Sequence, residues 1–453
     1  MKMALAMNAS RLPTSERHRA RARASRSAGW VLIALWLAAS SRQGLAGDWP
    51  TFMHDVQRSG TSAEQLPVDL APAWVFPKGL GPAAAWPAET KVDYYVEASR
   101  RSPFKTRLGF DLANHPAIAN GTMFVGSSTE DTVTCADIVT GETKWRFFAD
   151  GPVRMSPMVT AGFVYFGSDE GTAYCLDANT GALKWRYTPA GTNNTLVPNN
   201  GRFVSPWAIR TGVLVDGGRA YFGAGIFPGS GIHVCAVDAV TGVKAWQLTH
   251  TNKGAPQGYG LLSATRLYLP SSRSTPVYYS RSSGSYLGQY GVNNGFGTFA
   301  LLSGANLFIG PASIGSWGPT GGSLVTQASE SGGDAIASFD GGNALVATAT
   351  NVFVLTDTAV NCLTRSTRAT VWTRPTIHPY SIILAGKTLY TGGEGEVAAF
   401  DAGTGKPVGR FPVRGNAYGI AVAAGRLFVS TDTGTVHAFA ASPGKAQSGM
   451  TSY

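Results

Sequence analysis

The sequence predicts an all-β protein, an eight-bladed β-propeller of four-stranded antiparallel blades closed by an N-terminal strand. The first observation is a repeated unit of an apolar strand, an alternating strand, an Asp-x-x-Thr-Gly turn and a Trp-bearing strand. Three clear copies carry the turn and the Trp, at Asp137–Trp145, Asp177–Trp185 and Asp238–Trp246. Self-similarity at a fixed period is typical of repeat architectures. The second observation is the composition, with 56 glycines and 14% charged residues, which suits short strands joined by tight turns.

The residues of the turn explain why the unit repeats with a fixed spacing. In the second copy, the side chains of Asp177 and Thr180 can accept hydrogen bonds from nearby backbone N–H groups and so hold a hairpin turn. Gly181 supplies a positive φ without a Cβ clash. The Trp eight residues after the Asp is large, flat and mostly apolar, so it suits the gap between neighbouring blades. We therefore predict that five Trp side chains dock one blade onto the next: Trp74, Trp145, Trp185, Trp246 and Trp372.

The number of apolar second strands predicts the number of blades. Eight such strands occur, at Met123–Val125, Tyr165–Phe166, Tyr221–Phe222, Leu267–Leu269, Leu307–Ile309, Val352–Val354, Leu389–Tyr390 and Leu427–Val429. Their spacing is centred near the roughly 40 residues of a four-stranded blade. The eighth unit ends near Ala440, after its third strand, whereas Ala71–Phe76 is a Trp-bearing strand with no blade of its own. We expect this strand to complete the eighth blade, which also removes an exposed sheet edge.

The N-terminus has the layout of a secretory signal peptide. Six arginines between Arg11 and Arg26 precede the apolar run Trp30–Ala39, and small residues lie around Ala46. The run is shorter than the roughly 20 apolar residues that cross a membrane. We therefore predict cleavage near Ala46 and a periplasmic or otherwise exported protein. Attachment to a membrane is expected only if the signal peptide stays uncleaved and acts as an anchor. The predicted organisation is a signal peptide (1–46), one propeller domain (47–440) with an insertion (78–112) before the first blade, and a C-terminal tail (441–453).

The charge balance argues against a nucleic-acid partner. The formal net charge is +10, but residues 1–46 contain eight Lys or Arg and one Glu, so they account for +7 and leave +3. A nearly neutral propeller lacks the electrostatic footprint of a nucleic-acid binder. We expect a monomer that binds a protein partner or a small ligand.

The cysteines are predicted to be buried free thiols. Export permits disulfides, but Cys135, Cys175 and Cys362 occupy the same place in three different blades. Such positions are expected to exceed the Cα separation of about 7 Å that a disulfide can bridge. The fourth cysteine is Cys235, and the sequence contains no Cys-x-x-Cys-His motif, which excludes a covalently attached c-type haem.

The x-Asp-x-x-Thr-Gly-x-x-x-Trp units resemble the repeats of pyrroloquinoline-quinone-like (PQQ-like) propellers over roughly Trp49–Ala440. That superfamily contains quinoprotein dehydrogenases and also cofactor-free scaffolds such as the outer-membrane assembly lipoprotein of Gram-negative bacteria. Further motifs, including Asp48-Trp-Pro and Ser205-Pro-Trp207, resemble an exported bacterial group that is defined by its repeats. The resemblance implies a fold and not a reaction.

The quinoprotein enzymes of this superfamily have a disulfide between adjacent cysteines over the quinone, a Trp floor, and acidic and amide ligands for a calcium ion. This chain has no adjacent cysteines. Trp207 or Trp317 could serve as a floor, but no recognisable motif of paired carboxylates accompanies either. We therefore predict a non-catalytic protein without a cofactor, and keep a periplasmic PQQ-dependent oxidoreductase with calcium as the alternative.

No recognisable catalytic motif occurs in the sequence. It has no Ser-His-Asp nucleophile elbow, no phosphate-binding loop and no His-Glu-x-x-His motif. Asp169 and Glu170 are adjacent in a predicted hairpin turn, which indicates a solvated turn rather than an acid–base pair. No catalytic residue is predicted.

Residues that lead into the innermost strands are expected to surround one mouth of the central channel. The candidate ligand-binding residues there are His115, Arg154, Arg202, Trp207, Arg210, Tyr259, Arg273 and His378. Four arginines would make this mouth cationic and suited to an anionic group or an acidic peptide. The alternative is that the arginines bind loop carbonyls and the histidines are ordinary rim residues. Two distant histidines without a carboxylate or thiolate partner do not predict a metal site.

The insertion at 78–112 is a candidate surface for a protein partner. Loops on a rigid scaffold often carry function, and exposed Trp, Tyr and Arg are favoured in partner surfaces. The candidate partner-binding residues are Trp86, Tyr94, Tyr95, Arg100 and Arg101. The alternative is that these side chains pack the insertion against the propeller.

Overall fold

The fold is known from a computed structural model that describes residues 47–67, 69–76, 80–86, 109–191, 195–271, 275–290, 299–313 and 323–441. Within these stretches the regular secondary structure is strands, apart from one 3₁₀ turn at Pro228–Ser230. No helix in this part of the chain is long and apolar enough to cross a membrane. The predicted signal peptide (1–46) and the tail beyond residue 441 lie outside the described residues.

The strands, numbered along the chain, form consecutive antiparallel sheets. Two strands precede the first sheet: β1 (Thr61–Ser62) and β2 (Leu70–Val75). The first sheet contains β3 (Ala117–Ala119), β4 (Thr122–Ser127), β5 (Thr132–Asp137) and β6 (Thr143–Phe148). The second contains β7 (Met158–Thr160), β8 (Phe163–Gly167), β9 (Ala173–Asp177) and β10 (Leu183–Tyr187). A two-stranded hairpin follows, β11 (Val197–Asn199) and β12 (Arg202–Val204).

Four more four-stranded sheets have the same sequential order. The third contains β13 (Leu214–Asp216), β14 (Arg219–Ala224), β15 (Ile232–Asp238) and β16 (Lys244–His250). The fourth contains β17 (Leu261–Leu262), β18 (Arg266–Leu269), β19 (Val277–Ser280) and β20 (Tyr286–Gln289). The fifth contains β21 (Phe299–Ser303), β22 (Asn306–Ser313), β23 (Ser323–Ser329) and β24 (Ala335–Asp340). The sixth contains β25 (Ala344–Ala347), β26 (Asn351–Leu355), β27 (Ala359–Thr364) and β28 (Thr370–Pro375).

The last sheet has eight strands because one long strand belongs to two four-stranded groups. Besides β1 and β2, it contains β29 (Ser381–Ala385), β30 (Thr388–Gly392), β31 (Glu394–Asp401), β32 (Pro407–Ala423), β33 (Arg426–Thr431) and β34 (Val436–Ala441). The first part of β32 pairs with β31 and its second part with β33. At one edge β1 runs parallel to β29, and at the other β2 pairs antiparallel with β34, placing Leu70 opposite Ala441. The N-terminal strand therefore completes the last group, as the sequence predicted. The predicted propeller fold is confirmed, whereas the count of eight blades stays a prediction.

Burial follows the position of a strand within its sheet. In the first sheet β4 and β5 are almost entirely buried, whereas only alternate residues of β6 are partly protected. Adjacent sheets pack face to face on the inner strands, so both faces of those strands are covered. Phe124 of the first sheet and Val164 of the second share one apolar cluster, and Tyr221 of the third and Leu267 of the fourth share another. The core is thus divided among the interfaces between sheets.

The repeated turn joins each Trp to the next sheet. The Asp177 carboxylate accepts hydrogen bonds from the backbone N–H groups of Asn179 and Thr180, each at 3.1 Å. The Trp145 indole donates to the carbonyl of Ala178 at 3.1 Å, and its ring lies against Gly181. The equivalent contacts join Trp74 to Ile138 and Gly141, Trp185 to Ala239 and Gly242, Trp246 to Arg281 and Gly284, and Trp372 to Ala402 and Gly405. Because Trp74 belongs to β2, this contact brings the last sheet against the first.

The Trp contact makes the turn glycine sensitive to substitution. Gly181 has a φ of 72°, and an added Cβ would lie 2.7 Å from the Trp145 ring. We expect Gly181→Ala to lower the free energy of unfolding by about 2–4 kcal/mol, combining backbone strain with overpacking. Gly162 is the matched control, since its φ is 81° but no atom lies within 4 Å of an added Cβ. Gly162→Ala should cost only the strain, about 1 kcal/mol. Equal losses in urea-induced unfolding would contradict the docking role.

All four cysteines are buried with free thiols. Burial raises the pKa of Cys135 and of Cys175 to about 12 and that of Cys362 to about 11. It raises the pKa of Cys235 as well. The thiols are therefore protonated at neutral pH and behave as small apolar side chains of the core.

Candidate functional site

Residues 47–62, here called the N-terminal strap, run along the first strands of the sheets. Backbone hydrogen bonds of 2.8–2.9 Å join the strap to residues of these strands and, in one case, to the residue directly after a strand. The pairs are Gly47 with Ala424, Trp49 with Ile118, Pro50 with Val159, Val56 with Leu262, Gln57 with Leu302, and Gly60 with Leu384. In a propeller the sheets surround a central channel. The strap therefore links widely separated sheets at that channel.

Arg58 anchors the strap from within. Its side chain is 1% exposed, and its Nε donates to the carbonyl of Gly260 at 2.8 Å. A terminal nitrogen donates to the Thr51 hydroxyl at 2.9 Å and to the Phe52 carbonyl at 2.8 Å, and the guanidinium lies 5.5 Å from the centre of the Tyr259 ring. Burial lowers the pKa of Arg58 to about 10. The guanidinium is still charged at neutral pH, and backbone carbonyls of the strap and the fourth sheet accept its hydrogen bonds.

Two of the predicted ligand-binding arginines lie together in a buried ionic cluster. Arg154 contacts Asp169 at 2.6 Å and Asp111 at 2.8 Å. Arg210 contacts both oxygens of Asp169, at 3.0 and 2.8 Å, and donates to Asn199 at 2.9 Å. The side chains of both arginines and both aspartates are at most 2% exposed. Two guanidinium groups thus face two carboxyl groups, so their charges are compensated inside the protein.

The interpretation of Asp169 as a solvated turn residue is wrong, since the residue is completely buried. Burial alone would raise the pKa of this carboxyl, but attraction to Arg210 and Arg154 outweighs burial and lowers it. Within the described residues Asp111 contacts the guanidinium of Arg154 alone, and there the effect of burial prevails and raises the pKa of Asp111. One terminal nitrogen of Arg210 is buried without a hydrogen-bond partner within the described residues.

The other predicted residues of the channel mouth take part in local contacts. Arg202 pairs with Asp131 at 2.5 Å and donates to the carbonyls of the neighbouring turn. The Trp207 indole donates to a backbone carbonyl at 3.0 Å. His378 is 3% exposed and its Nε2 lies 2.8 Å from Glu396. None of these three side chains lines the cavity described below.

The described parts of the insertion, 80–86 and 109–112, pack on the propeller. Trp86 donates to the amide oxygen of Gln257 at 2.6 Å, and the Arg210 guanidinium lies 5.6 Å from the centre of its ring. The backbone N–H of Ala85 donates to Asp111 at 2.7 Å. The predicted residues Tyr94, Tyr95, Arg100, Arg101 and Arg273 lie outside the described residues, as does Trp317. Partner binding by the insertion stays a prediction.

A cavity of about 400 Å³ lies between the strap and the first strands of several sheets. Its wall is mostly apolar and aromatic. Its lining side chains include Phe52, His115, Tyr259, Asn343, Ala344, Asp357, Tyr380 and Tyr418. Of the described residues that line it, Asp357 is the one with a formal charge at neutral pH. A cavity of this size is typical of small-molecule sites.

Aromatic rings stand in two groups in the wall of the cavity. The Phe52 and Tyr259 rings are stacked with their centres 3.7 Å apart and 8° between their planes, and His115 meets Phe52 edge to face at 4.8 Å. Tyr380 and Tyr418 form the second group, 4.7 Å apart and tilted by 36°. The Tyr259 hydroxyl already accepts the backbone N–H of Ser156 at 2.8 Å. No group of the described residues hydrogen-bonds to the hydroxyls of Tyr380 and Tyr418.

His115 has free hydrogen-bonding capacity at the cavity. Burial lowers its pKa to about 4, so the imidazole is neutral at physiological pH. Its contacts within the described residues are with the rings of Phe52 and Tyr259. The imidazole packs against Gly419, where an added Cβ would collide with it and with Ser430. A neutral imidazole offers one donor and one acceptor to a bound molecule.

Asn343, Asp357 and Ser381 provide further polar side chains in the wall. The Asn343 amide donates to Asp357 at 2.9 Å and to the carbonyl of Pro379 at 3.3 Å. Of the predicted site residues, the cavity contains His115 and Tyr259. Aligning the segments that lead into the first strands indicated those two positions, whereas Asp357 lies between β26 and β27 and no repeat signal marked it.

These residues do not fit a quinone with three carboxylates and its calcium ion. Calcium takes six to eight oxygen ligands, and no group of three or more His, Cys, Asp or Glu side chains in the described residues could hold a metal. Among its described lining residues the cavity has one carboxylate, that of Asp357, and no guanidinium or ammonium group for the quinone. Trp207 is not part of its wall.

A family model matches most of the chain. The family described as "Outer membrane protein assembly factor BamB" matches residues 86–197, 157–392 and 393–447. No curated protein matches the chain significantly.

Solved structures with the same fold include two dehydrogenases and BamB. Quinohemoprotein alcohol dehydrogenase from Comamonas testosteroni aligns with a TM-score of 0.61 at 14% identity, over 91% of this chain and 83% of that one. BamB from Moraxella catarrhalis aligns with a TM-score of 0.54 at 16% identity, over 74% and 97%. A europium-containing methanol dehydrogenase aligns with a TM-score of 0.58 at 13% identity, over 85% and 89%. At these identities the likeness shows a propeller fold and leaves the activity open.

Proposed function

Because the chain belongs to the PQQ-like repeat family described as the outer membrane protein assembly factor BamB, we propose that it is an exported, non-catalytic propeller that binds a small ligand in its central cavity. The observation that carries the proposal is the cavity of about 400 Å³ between the strap and the first strands. Its apolar wall holds a few polar groups that have no hydrogen-bond partner among the described residues, namely the His115 imidazole and the hydroxyls of Tyr380 and Tyr418. Convergent polar groups in an apolar pocket are typical of binding sites.

The geometry supports a ligand that is not anionic. The arginines that suggested an anion site, Arg154 and Arg210, direct their charge toward Asp111 and Asp169. Neither arginine lines the cavity. The described lining residues of the cavity offer no guanidinium or ammonium group to an anion, and burying an anion without such a partner is costly in a partly desolvated site.

Three isosteric probes test the proposal by calorimetric titration: choline, its neutral carbon analogue 3,3-dimethylbutan-1-ol, and the anion 3,3-dimethylbutanoate. At least one should bind saturably to the mature chain. Ala344, which lines the cavity, is replaced by Trp to fill it. We expect Ala344→Trp to weaken that binding at least about tenfold.

The matched control places the same substitution far from the cavity. Ala335 is exposed at the start of β24, so Ala335→Trp should leave probe binding unchanged. Thermal unfolding of both variants verifies that they are folded. The proposal is rejected if no probe binds, or if Ala344→Trp binds the probes as well as the natural sequence does.

The alternative is a PQQ-dependent oxidoreductase. It is supported by the solved quinohemoprotein alcohol dehydrogenase that shares the fold and by the adjacent amide and carboxylate of Asn343 and Asp357. Titration with pyrroloquinoline quinone plus calcium, paired with dye reduction across simple alcohols and sugars, distinguishes the two. We expect no saturable quinone binding and no turnover, since the cavity lacks the necessary ligands. Saturable binding with turnover would replace the proposal with this alternative.

Protein binding by the insertion is a second candidate, because the family is described as an assembly factor. Residues 88–107 can be replaced by a Gly/Ser linker of equal length, which keeps the packed Trp86 and Phe110. A pull-down should then lose the partners of the natural chain, while the melting temperature is retained. Retained partners would assign binding to another surface.

A further inference from the structure

We infer that the cavity takes an uncharged aromatic molecule with a hydroxyl group, such as a phenol, whose ring lies against Tyr380 and Tyr418 and whose hydroxyl bonds to His115. The inference rests on the proposed function, since it names the class of ligand that the same cavity takes. It follows from three features of the described wall: a bulge that departs from the repeat, an imidazole without a hydrogen-bond partner, and aromatic rings in place of opposite charges.

The first feature is a β-bulge at Tyr418. In the pairing of β32 with β33, Ala417 lies opposite Thr431, and Gly419 lies opposite Ser430. Tyr418 between them has no counterpart. In the other described sheets the first and second strands pair without such a shift. A bulge bends its strand and re-aims a side chain, and here both Tyr418 and Gly419 line the cavity. The last sheet therefore departs from the repeat at the point where it meets the cavity.

The second feature is the space that Gly419 leaves for His115. An added Cβ at Gly419 would collide with the imidazole, so glycine lets this half-buried ring lie directly on the backbone of β32. The rings of Phe52 and Tyr259 stand edge to face with it, with centres 4.8 and 6.0 Å away. No hydrogen bond joins the imidazole to another described residue, and unbonded polar groups inside a protein cost free energy. A hydroxyl group both donates and accepts, so it can bond to the imidazole in either tautomer.

The third feature is the aromatic character of the wall. Tyr380 and Tyr418 are half-buried, with ring centres 4.7 Å apart and planes tilted by 36°. Trp49 and Phe110 add two buried rings to the lining. Aromatic rings attract one another in offset or edge-to-face arrangements, beyond what burial of their area contributes. The wall therefore favours a flat aromatic ring over a saturated ring of the same size.

The charges of the wall favour an uncharged ligand. The described lining residues include no Lys or Arg, and the carboxylate among them, Asp357, is already engaged, since it accepts the Asn343 amide at 2.9 Å. The imidazole of His115 is neutral at physiological pH, because burial lowers its pKa to about 4. An ion of either sign would thus give up its hydration without an unengaged opposite charge in the described wall, which is costly.

Five probes built on the naphthalene skeleton test the class of ligand. 2-Naphthol is the expected ligand, and its fluorescence reports binding to the mature chain. Four competitors each change one property: naphthalene lacks the hydroxyl, decahydro-2-naphthol lacks the aromatic rings, and 2-naphthoate and 2-naphthylmethylammonium carry a charge. We expect decahydro-2-naphthol to bind about three- to tenfold more weakly than 2-naphthol. Each charged competitor should bind at least about tenfold more weakly.

A double-mutant cycle tests the bond between the hydroxyl and His115, because comparing ratios cancels the different hydration of the free probes. The preference for 2-naphthol over naphthalene should fall about three- to tenfold in His115→Phe, which keeps a ring and removes both nitrogens. His233→Phe is the matched control, since His233 lies in β15 and is not part of the described cavity wall. It should leave the preference unchanged. Thermal unfolding verifies that both variants are folded. An undiminished preference in His115→Phe would overturn the role of His115.

Paired variants of the two tyrosines test the position of the ring. Tyr380→Leu and Tyr418→Leu should each narrow the difference in affinity between 2-naphthol and decahydro-2-naphthol. Tyr380→Phe and Tyr418→Phe should preserve that difference. Both substitutions remove a hydroxyl and only leucine removes the ring, so each pair isolates the aromatic contact. A full difference that persists in both leucine variants would overturn the placement of the ligand ring.

The outcomes separate the inference from the function on which it rests. If 2-naphthol does not bind, while choline or another probe of the proposed function binds and Ala344→Trp weakens its binding, the aromatic class is overturned and the cavity remains a binding site. A charged or saturated competitor that binds as tightly as 2-naphthol also overturns the class alone. 2-Naphthol binding that Ala344→Trp leaves unchanged overturns the assignment to this cavity. If no probe of either set binds, both the inference and the proposed function are overturned.

Discussion

Replacing Asp169 with Asn should lower the free energy of unfolding by roughly 3–5 kcal/mol, the usual cost of removing one partner from a buried ion pair. Asp169 faces Arg154 and Arg210, and all three side chains are at most 1% exposed. An amide keeps the shape but removes the charge, so two buried guanidinium groups would share the one carboxyl group of Asp111. Urea-induced unfolding of the mature chain measures the loss.

The control for this variant is Asp150→Asn. Asp150 pairs with Arg186 at 3.9 Å, but its side chain is 76% exposed, and such pairs contribute about 0–1 kcal/mol. If both substitutions cost the same, the buried cluster does not stabilise the fold.

The effect of Asp169→Asn should depend on pH. The arginines hold the pKa of Asp169 below the ordinary value of 3.8, despite burial. A carboxyl group whose pKa is lowered by folding contributes stability above the unfolded pKa and loses it as the pH falls through the folded pKa. The stability difference between the natural chain and Asp169→Asn should thus be complete at pH 7 and shrink below about pH 4. A difference that grows with acidification would contradict the ion-pair explanation.

Removing residues 48–76 should abolish cooperative unfolding of the propeller. The deletion takes away the strap, with its backbone bonds to the first strands of several sheets. It also removes β2, which pairs with β34, and so exposes a sheet edge. Circular dichroism during heating should show a broad loss of signal in place of a single transition. A sharp transition at an unchanged temperature would contradict the closing role of this segment.

A point substitution tests the same closure in a chain that still folds. Trp74 packs on Gly141 and donates to the carbonyl of Ile138 at 3.1 Å, so Trp74→Ala should cost about 2–4 kcal/mol of unfolding free energy. The neighbouring Val75 is 53% exposed, and Val75→Ala should change it by less than about 0.5 kcal/mol. Similar losses from both would show that the Trp contact is not what joins the last sheet to the first.

Much of the fold could be predicted because the turn that repeats in it is held by contacts between residues close in sequence. The Asp-x-x-Thr-Gly turn is held by bonds within a few residues, such as those from Asp177 to Asn179 and Thr180. Each Trp then contacts the next copy of the same turn. The Trp in 71–76 also identified β2 as the missing strand of the last group, which the pairing with β34 bears out.

The strap could not be predicted, because nothing in residues 47–62 repeats. Met53, His54 and Arg58 adopt positive φ values of 54°, 76° and 60° without being glycine, conformations that only surrounding contacts impose. The partners of the strap lie as far along the chain as Ala424. Contacts over such distances leave no periodic signal.

For the site, the sequence by itself determined which residues approach the channel. The tertiary structure decided which partners compensate the charges of those residues. The alignment of the repeats predicted that Arg154 and Arg210 lie near the channel mouth. Their carboxylate partners could not be predicted, because Asp111 lies in the insertion, outside the repeats, and Asp169 lies in a turn of a kind that normally faces water. Burial made the difference, because a buried guanidinium needs acceptors inside the protein, here the two carboxylates, whereas a solvated one is hydrated by water. With those charges paired, the cavity is defined by aromatic faces and by Asp357, which the packing of separate sheets brings together.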